Sequence, residues 1–367
     1  MSESAERPRR PSPPSPSPPC RPPRDRPGPP AAGWGPGPPP RPPRRWGAPP
    51  PAATGAAQRP RVRTRAAAAG AGAASAPPTR PTAASAAAAP GAGVGARHHQ
   101  QQAETIRQIT LQGAVNVRDL GGYRTWTGGQ VRQGLVYRSD ALGKLTDADV
   151  TTVSDLGLTK VIDFRIPMEV QYDGADRLPA GLSATARPVS DLGLYGTLVG
   201  AIGSGDPVTQ EQMLGGGRAE AYMRDIYRTF VTAPENRAQF ATTLRELADG
   251  RQGPVLYHCT SGKDRTGWMS YVLLRALAVP EGTAERDYLA SNTFRAAYDA
   301  KVRAGLKQSG RMQNPDLLIP LQEVRQDYLD SATAQMEADY GSFYGYLTQG
   351  LGLDLRTLAK LQSRLVR

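Results

Sequence analysis

The stretch that decides the fold reads Val255-Leu256-Tyr257-His258-Cys259-Thr260-Ser261-Gly262-Lys263-Asp264-Arg265-Thr266-Gly267. Its apolar start predicts a strand, residues 259–265 predict a turn, and the apolar run over residues 268–274 predicts a helix. In this arrangement the backbone N–H groups of the turn converge on one point, to which the helix N-terminus adds its dipole. The expected occupant of that point is a phosphate group.

Two side chains separate this turn from an ordinary phosphate-binding loop. A thiol stands at its first position, Cys259, and a guanidinium at its last, Arg265. The converging N–H groups favour the thiolate, which is the nucleophilic form of cysteine. An arginine can bind two oxygens of a phosphoryl group at once and hold them as charge spreads during transfer. The turn therefore predicts a nucleophile and a phosphate clamp in one loop.

The string His258-Cys259-x5-Arg265-Thr266 resembles the signature of the cysteine-dependent protein tyrosine phosphatases. The fuller string His-Cys-x-x-Gly-Lys-Asp-Arg-Thr-Gly resembles that of a bacterial branch of atypical tyrosine and phosphoinositide phosphatases. Residues 116–123, Asn-x-Arg-Asp-Leu-Gly-Gly-Tyr, and residues 137–139, Tyr-Arg-Ser, match the N-terminal pattern of that family. With residues 284–292 and 340–347, which resemble it too, the likeness covers roughly residues 110–365.

The resemblance implies an α/β fold with a central, mostly parallel sheet flanked by helices, as in cysteine-dependent tyrosine and dual-specificity phosphatases. Strand-like and helix-like segments that alternate along the chain predict the same sheet, whose ligands bind beyond the carboxyl ends of the strands. We predict a phosphatase domain over residues 105–367. The elements expected before the loop are strands over 131–139, 161–165 and 184–189 and helices over 147–156, 219–231 and 235–249, the first of them capped by Thr146.

Residues 1–100 differ sharply in composition from the rest of the chain. They contain 26 of the 35 prolines, 15 arginines and three acidic residues, whereas residues 101–367 carry 30 basic and 30 acidic side chains. So few apolar side chains cannot offset the entropy of ordering, and the composition predicts a disordered basic tail whose partners are unknown. The neutral remainder gives no support for nucleic-acid or membrane binding.

Residues 193–217 are rich in glycine. A long glycine-bearing insertion is most often a mobile surface loop. Beside a catalytic site the functional version of such an insertion is a lid, and in the resembled branch a helical lid occupies this region. Both interpretations stay open from the sequence.

The mechanism that the loop predicts is a double displacement without a metal or another cofactor. Cys259 attacks phosphorus and forms a phosphocysteine, and Thr266 can donate its hydroxyl to the cysteine sulfur. In the resembled family His258 shapes the loop and tunes the thiol. The residues expected to bind the phosphate group of the substrate are Thr260, Ser261, Gly262, Lys263, Asp264 and Arg265.

A general acid must also protonate the leaving oxygen. Two aspartates are candidates, because Asp264 lies in the loop and Asp191 follows a predicted strand that leads to the same rim. The resemblance permits either or both; we take Asp191 as a site residue and keep Asp264 as the alternative acid. Asp163 is expected to be structural. For Arg118 and Asp119, a structural ion pair and a role around the phosphate site both stay open.

The predicted function is hydrolysis of phosphotyrosine, and also of phosphoserine or phosphothreonine, in phosphoproteins. Lys263 adds a cation that suits more anionic substrates such as phosphoinositides, unless it is a lysine that faces solvent. A non-catalytic phosphate-reading module is a further alternative, although nucleophile and clamp are both intact. A nucleotide-binding P-loop is excluded, because Tyr257 stands where its first glycine belongs and Asp264 where its hydroxyl residue belongs.

The three histidines and two cysteines limit which other kinds of site the chain can form. His258 is the one histidine outside the tail, which excludes Cys–His proteases and histidine-based metal sites. Cys20 and Cys259 are the only cysteines, so a reduced cytoplasmic location fits best, with secretion as the alternative. No segment approaches the roughly 18–20 apolar residues of a membrane-spanning helix.

Overall fold

The computed structural model describes residues 105–367, which form one mixed sheet with helices on both sides. The prediction of a disordered tail over residues 1–100 lies outside the described residues. The sheet has the strand order β1-β2-β3-β6-β4-β5. Its strands are β1 (Arg107–Gln108), β2 (Arg118–Asp119), β3 (Val136–Ser139), β4 (Lys160–Asp163), β5 (Ala184–Ala186) and β6 (Val255–His258).

Strand β6 is the centre of the sheet and leads directly into the loop that begins at Cys259. It pairs in parallel with β3 on one side and β4 on the other, so that Val255 lies opposite Val136 and Lys160. All four of its residues are buried, as expected for a parallel strand covered on both faces. β1 and β2 pair antiparallel at one edge. The predicted mostly parallel α/β sheet is confirmed.

The three helices predicted over 147–156, 219–231 and 235–249 are present, each to within one residue at either end, and three further helices lie between the first two of them. Thr146 and Asp149 form a reciprocal capping box at the start of the first helix, as its sequence predicts. None of the helices within residues 105–367 is long and apolar enough to cross a membrane. The helices of this half are α1 (Asp147–Asp155), α2 (Pro167–Asp173), α3 (Leu194–Ser204), α4 (Pro207–Leu214), α5 (Arg218–Thr232) and α6 (Pro234–Ala248).

The chain after the loop is mostly helical, as predicted. A short 3-10 turn over Pro315–Leu318 and a π-type turn over Tyr346–Gly350 interrupt it. The helices are α7 (Arg265–Ala276), α8 (Glu281–Gln308), α9 (Ile319–Gln322), α10 (Gln326–Tyr340), α11 (Phe343–Gly345) and α12 (Leu355–Leu365).

The interpretation of residues 193–217 as a surface loop is wrong, because α3 and α4 occupy most of this segment. Glycines suggested a loop, but those that bound α3 stand where a left-handed backbone is needed: Gly193 has a φ of 81° and Gly205 a φ of 61°. Asp206 then starts α4 by accepting the N–H groups of Val208 and Thr209.

A buried ionic cluster fastens the edge of the sheet to α8. Arg118 on β2 and Arg138 on β3 both pair with Asp287, at 2.9 and 2.7 Å, and all three side chains are almost fully buried. Asp119 binds Arg107 instead. The interpretation of Arg118 and Asp119 as a pair with each other is therefore wrong, since neighbours along a strand point to opposite faces.

We expect Asp287→Asn to lower the free energy of unfolding by about 3–5 kcal/mol, because it leaves two buried guanidinium groups without their shared carboxylate. Burial favours a higher pKa for Asp287, but the charges of Arg118 and Arg138 outweigh it and lower that pKa. The stabilisation is thus present above about pH 4 and is lost as the pH falls through the lowered pKa.

Urea unfolding at pH 7 measures this loss. The matched control is Asp327→Asn, which breaks the exposed pair with Arg224 and is expected to cost less than about 1 kcal/mol. Equal losses in the two variants would contradict the assignment of the cluster as a main tether of α8.

Candidate active site

The loop between β6 and α7 is held in place by neighbouring segments, whose N–H groups and side chains bind the loop's carbonyl groups. His258 Nδ1 lies 3.2 Å from the Cys259 carbonyl, and the Ala141 N–H donates to that of Thr260 at 3.1 Å. Asn116 Nδ2 donates to the Ser261 carbonyl at 3.0 Å, and Arg138 to that of Gly262 at 2.7 Å. The N–H groups of residues 260–264 have no acceptor within residues 105–367. They are therefore free to bind an anion on the inner side.

Gly262 makes the close approach between this loop and β3. Its φ is +64°, and a Cβ atom placed there would lie 2.4 Å from the Ser139 carbonyl oxygen and 2.5 Å from the Asp140 nitrogen. Both neighbours are backbone atoms that cannot move aside. Only glycine fits this position, and the predicted place of Gly262 in the phosphate loop has a direct steric reason.

A cavity of about 110 Å³ opens on the inner side of the loop. Cys259 lies in its wall and is nearly inaccessible to solvent. Thr260, Ser261 and Arg265 line it as predicted, and so do both candidate acids, Asp191 and Asp264. The remaining lining residues are Glu169 and the apolar or aromatic side chains of Leu194, Tyr195, Leu198, Met223, Ile226, Phe230 and Leu321.

Glu169 is the main functional residue that the sequence reasoning missed. Its two carboxylate oxygens accept from Arg265 at 2.5 and 2.6 Å, and one of them also accepts the Thr260 hydroxyl at 2.6 Å. The carboxylate thus orients the guanidinium over the cavity. A signal was present, because Pro167 and Glu169 form a helix start directly after the carboxyl end of β4, and that end faces the site.

The pair between Arg265 and Glu169 keeps both groups charged. Burial favours neutral forms, but the charge of Arg265 and its hydrogen bonds hold the pKa of Glu169 below its usual value. The same contacts raise the pKa of Arg265 against its desolvation. Arg265 therefore presents a permanent positive charge to a bound phosphate.

His258 lies beneath the loop and is fully buried. Its Nε2 is 2.6 Å from Asp176, whose carboxylate also binds Arg165 at 2.9 Å. Burial favours a lower pKa for His258, but the hydrogen bond and charge of Asp176 raise it instead. Asp163 comes near enough to complete a three-ligand set for a metal ion, yet Arg165 binds both aspartates, so the expected structural role of Asp163 fits its contacts.

The two candidate acids reach the cavity from different elements. Asp191 precedes α3, and its carboxylate accepts the N–H groups of Gly193 and Tyr195 at 2.9 and 2.8 Å. Asp264 closes the loop and accepts from the hydroxyl of Tyr227 at 2.9 Å. Both lie within the cavity lining, so the geometry brings together the two alternatives that the sequence left open.

Lys263 and Thr266 are placed differently from the other loop residues. Lys263 is only 2% exposed and donates to both oxygens of Asp264, at 2.9 and 2.7 Å, so the interpretation as a solvent-facing lysine is wrong. It is not part of the cavity lining. The hydroxyl of Thr266 is buried and has no hydrogen-bond partner within residues 105–367, so its predicted bond to the cysteine sulfur is not formed here.

These features define a site with a buried cysteine and a braced arginine at the two ends of a loop, and the N–H groups between them have no acceptor in the described part of the chain. The chain belongs to the tyrosine phosphatase family, whose sequence profile matches residues 109–367. Phosphate-ester hydrolysis is accordingly the activity that the site must perform.

Individual relatives agree with the family. The chain is 32% identical to a Cupriavidus necator protein named provisionally as a tyrosine-protein phosphatase, over 66% of this chain and 84% of that one. It is 29% identical to the triple specificity protein phosphatase PtpB of Mycobacterium tuberculosis, over 70% of this chain and 98% of that one. A tyrosine-protein phosphatase of Nostoc commune is 26% identical over 62% of this chain and 73% of its own length.

Proposed function

We propose that this protein hydrolyses phosphotyrosine in proteins through a phosphocysteine intermediate. The observation that carries the proposal is the loop itself, which joins Cys259 to the charged Arg265 through five N–H groups that have no acceptor among the described residues. The N–H groups and the guanidinium bind the three non-bridging oxygens of the phosphate. The phosphorus atom is thereby placed against the sulfur.

The reaction proceeds in two displacements. The Cys259 thiolate forms a bond to phosphorus while the bond from phosphorus to the phenolic oxygen breaks, and Asp191 gives that oxygen its proton. Water then attacks the phosphocysteine, Asp191 takes a proton from the water, and the sulfur leaves as thiolate with inorganic phosphate as product. The otherwise unpartnered Thr266 hydroxyl is available to donate to the departing sulfur. Asp264 is the alternative acid.

The charges around the cavity favour a singly phosphorylated aromatic side chain. Arg265 is the one cation in the lining, against the carboxylates of Glu169, Asp191 and Asp264, and the rest of the wall is largely apolar. Such a wall suits a phenyl ring and repels the additional phosphates of a phosphoinositide. Lys263, the residue that suggested phosphoinositides, is bound to Asp264 and lies outside the lining.

We further propose that α3 is a lid. Its residues Leu194, Tyr195 and Leu198 form one wall of the cavity, while Ala201 is the only residue of the helix that is fully buried. Left-handed backbone precedes the helix at Leu192 and Gly193, with φ values of 56° and 81°, and follows it at Gly205, with a φ of 61°. A sparsely buried helix between such residues can move as a unit to admit the substrate.

The experiment compares substrates at equal concentration with the full chain in chelator and reductant. Phosphotyrosine peptide is expected to be hydrolysed faster than phosphoserine peptide and faster than mono- or bisphosphorylated phosphoinositides. Binding of phosphate without turnover of any substrate would instead establish the phosphate-reading module. A higher rate on phosphoinositides than on the peptides would overturn the protein substrate.

Lys263→Gln is expected to lower kcat by about three- to ten-fold on peptide and lipid substrates alike, because it removes the partner of Asp264 and no substrate contact. The rate ratio between the two substrates should not change. Lys160→Gln, which breaks the pair of another partly buried lysine with Glu246, is the matched control and should leave kcat unchanged. Selective loss of lipid hydrolysis in Lys263→Gln would assign Lys263 to substrate binding.

A further inference from the structure

A second cavity adjoins the first turn of the catalytic loop. It has a volume of about 130 Å³ and shares Thr260 and Ser261 with the catalytic cavity, so one turn of backbone separates the two. Its other walls come from residues 112–115, from residues 140, 141, 143 and 144, from Asp173, and from Arg295 and Tyr298 on α8. Asp173 of this cavity also contacts Tyr195 of the catalytic cavity, so the two cavities are immediate neighbours.

The charges that face the second cavity are largely paired with one another. Arg295 binds Asp140 at 3.4 Å and Asp299 at 2.7 Å, and the Asp140 carboxylate also accepts the N–H groups of residues 115 and 116. Asp173 accepts the hydroxyl of Tyr195 at 2.8 Å. These groups therefore have protein partners in the absence of a ligand.

Four polar groups of the lining residues are left over, and the first is the buried Nε of Arg295, which has no hydrogen-bond partner within residues 105–367. Lys144 is exposed and forms no ion pair within the described part of the chain; its Nζ donates to the Tyr298 hydroxyl at 3.2 Å and lies 5.8 Å from the centre of that ring. The hydroxyl of Ser261 and the side-chain amide of Gln112 have no hydrogen-bond partner within residues 105–367. A free ammonium with a neighbouring hydroxyl and amide is suited to a carboxylate.

We propose that this cavity is a substrate subsite that binds the carboxylate of an aspartate or glutamate next to the phosphotyrosine, with Lys144 as the residue that determines this preference. The inference rests on the proposed function. The two cavities then bind different parts of the substrate. The catalytic cavity binds the phosphorylated ring, and the second cavity, with Lys144, binds the acidic residue next to it.

The test uses the full chain and three substrates. Para-nitrophenyl phosphate has no neighbouring group and reports the chemistry alone. Two phosphotyrosine peptides differ only at the residues that flank the phosphotyrosine, which are aspartate in one and asparagine in the other. We expect kcat/KM to be about two- to five-fold higher for the aspartate peptide, which is the range of one exposed ion pair, and to lose this advantage at high salt.

Lys144→Gln is expected to remove the preference without changing turnover of para-nitrophenyl phosphate, and Lys144→Glu to reverse it. The control is Lys360→Gln on α12, a helix that lies at the other end of β6, where Arg364 binds the carbonyls of Gln252 and Gly253. This exposed lysine should leave the preference intact.

The outcomes separate the two proposals. Without turnover of para-nitrophenyl phosphate, the proposed function fails and the subsite with it. With turnover but equal kcat/KM for the two peptides, or with a preference that survives Lys144→Gln, the subsite alone is wrong. A preference for bisphosphorylated over monophosphorylated phosphoinositide that Lys144→Gln removes would assign the cavity to a second phosphate and overturn the peptide carboxylate.

Discussion

Replacing Cys259 by serine is expected to lower kcat on phosphotyrosine peptide by about four to six orders of magnitude, the range seen when a covalent nucleophile is removed. A serine hydroxyl in the same place is a much weaker nucleophile, because no base is free to take its proton in the first displacement. Asp191 acts there as the proton donor, and His258 is bound to Asp176. Phosphate binding should persist, since the N–H groups and Arg265 are unchanged. Stopped-assay kinetics and phosphate titration measure the two quantities.

Cys20→Ser is the control for this variant, because Cys20 is the only other cysteine and should not affect kcat. A phosphocysteine trapped by acid quench in the parent protein and absent from Cys259→Ser would support the covalent step. Retention of more than a few per cent of the parent turnover by Cys259→Ser would rule out the thiolate mechanism.

Replacing Arg265 by lysine is the second large effect, with an expected loss of about two to three orders of magnitude in kcat. A lysine keeps the charge but has no planar fork to hold two phosphate oxygens, and it cannot accept the bracing by both oxygens of Glu169 in the same geometry. Because the arginine binds more strongly as charge develops on the equatorial oxygens, kcat should fall more than KM rises.

Arg251→Lys offers a matched control. Arg251 also forms a two-point pair, with Asp249, but that pair is exposed and precedes β6 at the end of the strand away from the loop. Its replacement should leave both constants unchanged. If Arg265→Lys changed KM alone, the guanidinium would serve substrate binding and not the transition state.

Some residues of the site could be predicted from the sequence, and others could not. Cys259, Thr260, Ser261 and Arg265 were predicted from one continuous string, and the structure places all of them around one cavity. That was predictable because a strand, a tight turn and a helix N-terminus form from residues that are neighbours in the chain. The direction of the loop's N–H groups follows from this local geometry, whereas its carbonyl groups are bound by distant residues such as Asn116 and Arg138.

Glu169 and Lys144 could not be assigned in this way. Glu169 is 96 positions from Arg265 and meets it only because β4 lies beside β6. Lys144 reaches the second cavity through the packing of α8 against the loop that follows β3. Nothing in the residues themselves distinguishes them from other surface acids and lysines.

The glycines of residues 193–217 and the charge of Lys263 led to wrong predictions, because contacts in the folded chain outweighed what the residue types alone suggest. Propensity favoured a loop over 193–217, but contacts of α3 with α2 and α4 and the apolar wall of the cavity stabilise helix there. The positive charge of Lys263 suggested an extra phosphate ligand, but the tertiary fold turns it away from the cavity and toward Asp264.

The sequence by itself determined the chemistry of this protein: the thiol, the clamp, the phosphate loop and the parallel sheet that supports them. The tertiary structure alone decided which charges surround the cavity, because burial and contacts between distant segments, such as that of Glu169 with Arg265, set their positions. Lys263 is buried outside the cavity lining, and Glu169 forms an ion pair with Arg265. Lys144 donates to a tyrosine hydroxyl and has no ion pair within residues 105–367. The loop residues are neighbours in the chain and can be read from the sequence, whereas the arrangement of charges around the cavity exists only in the folded chain.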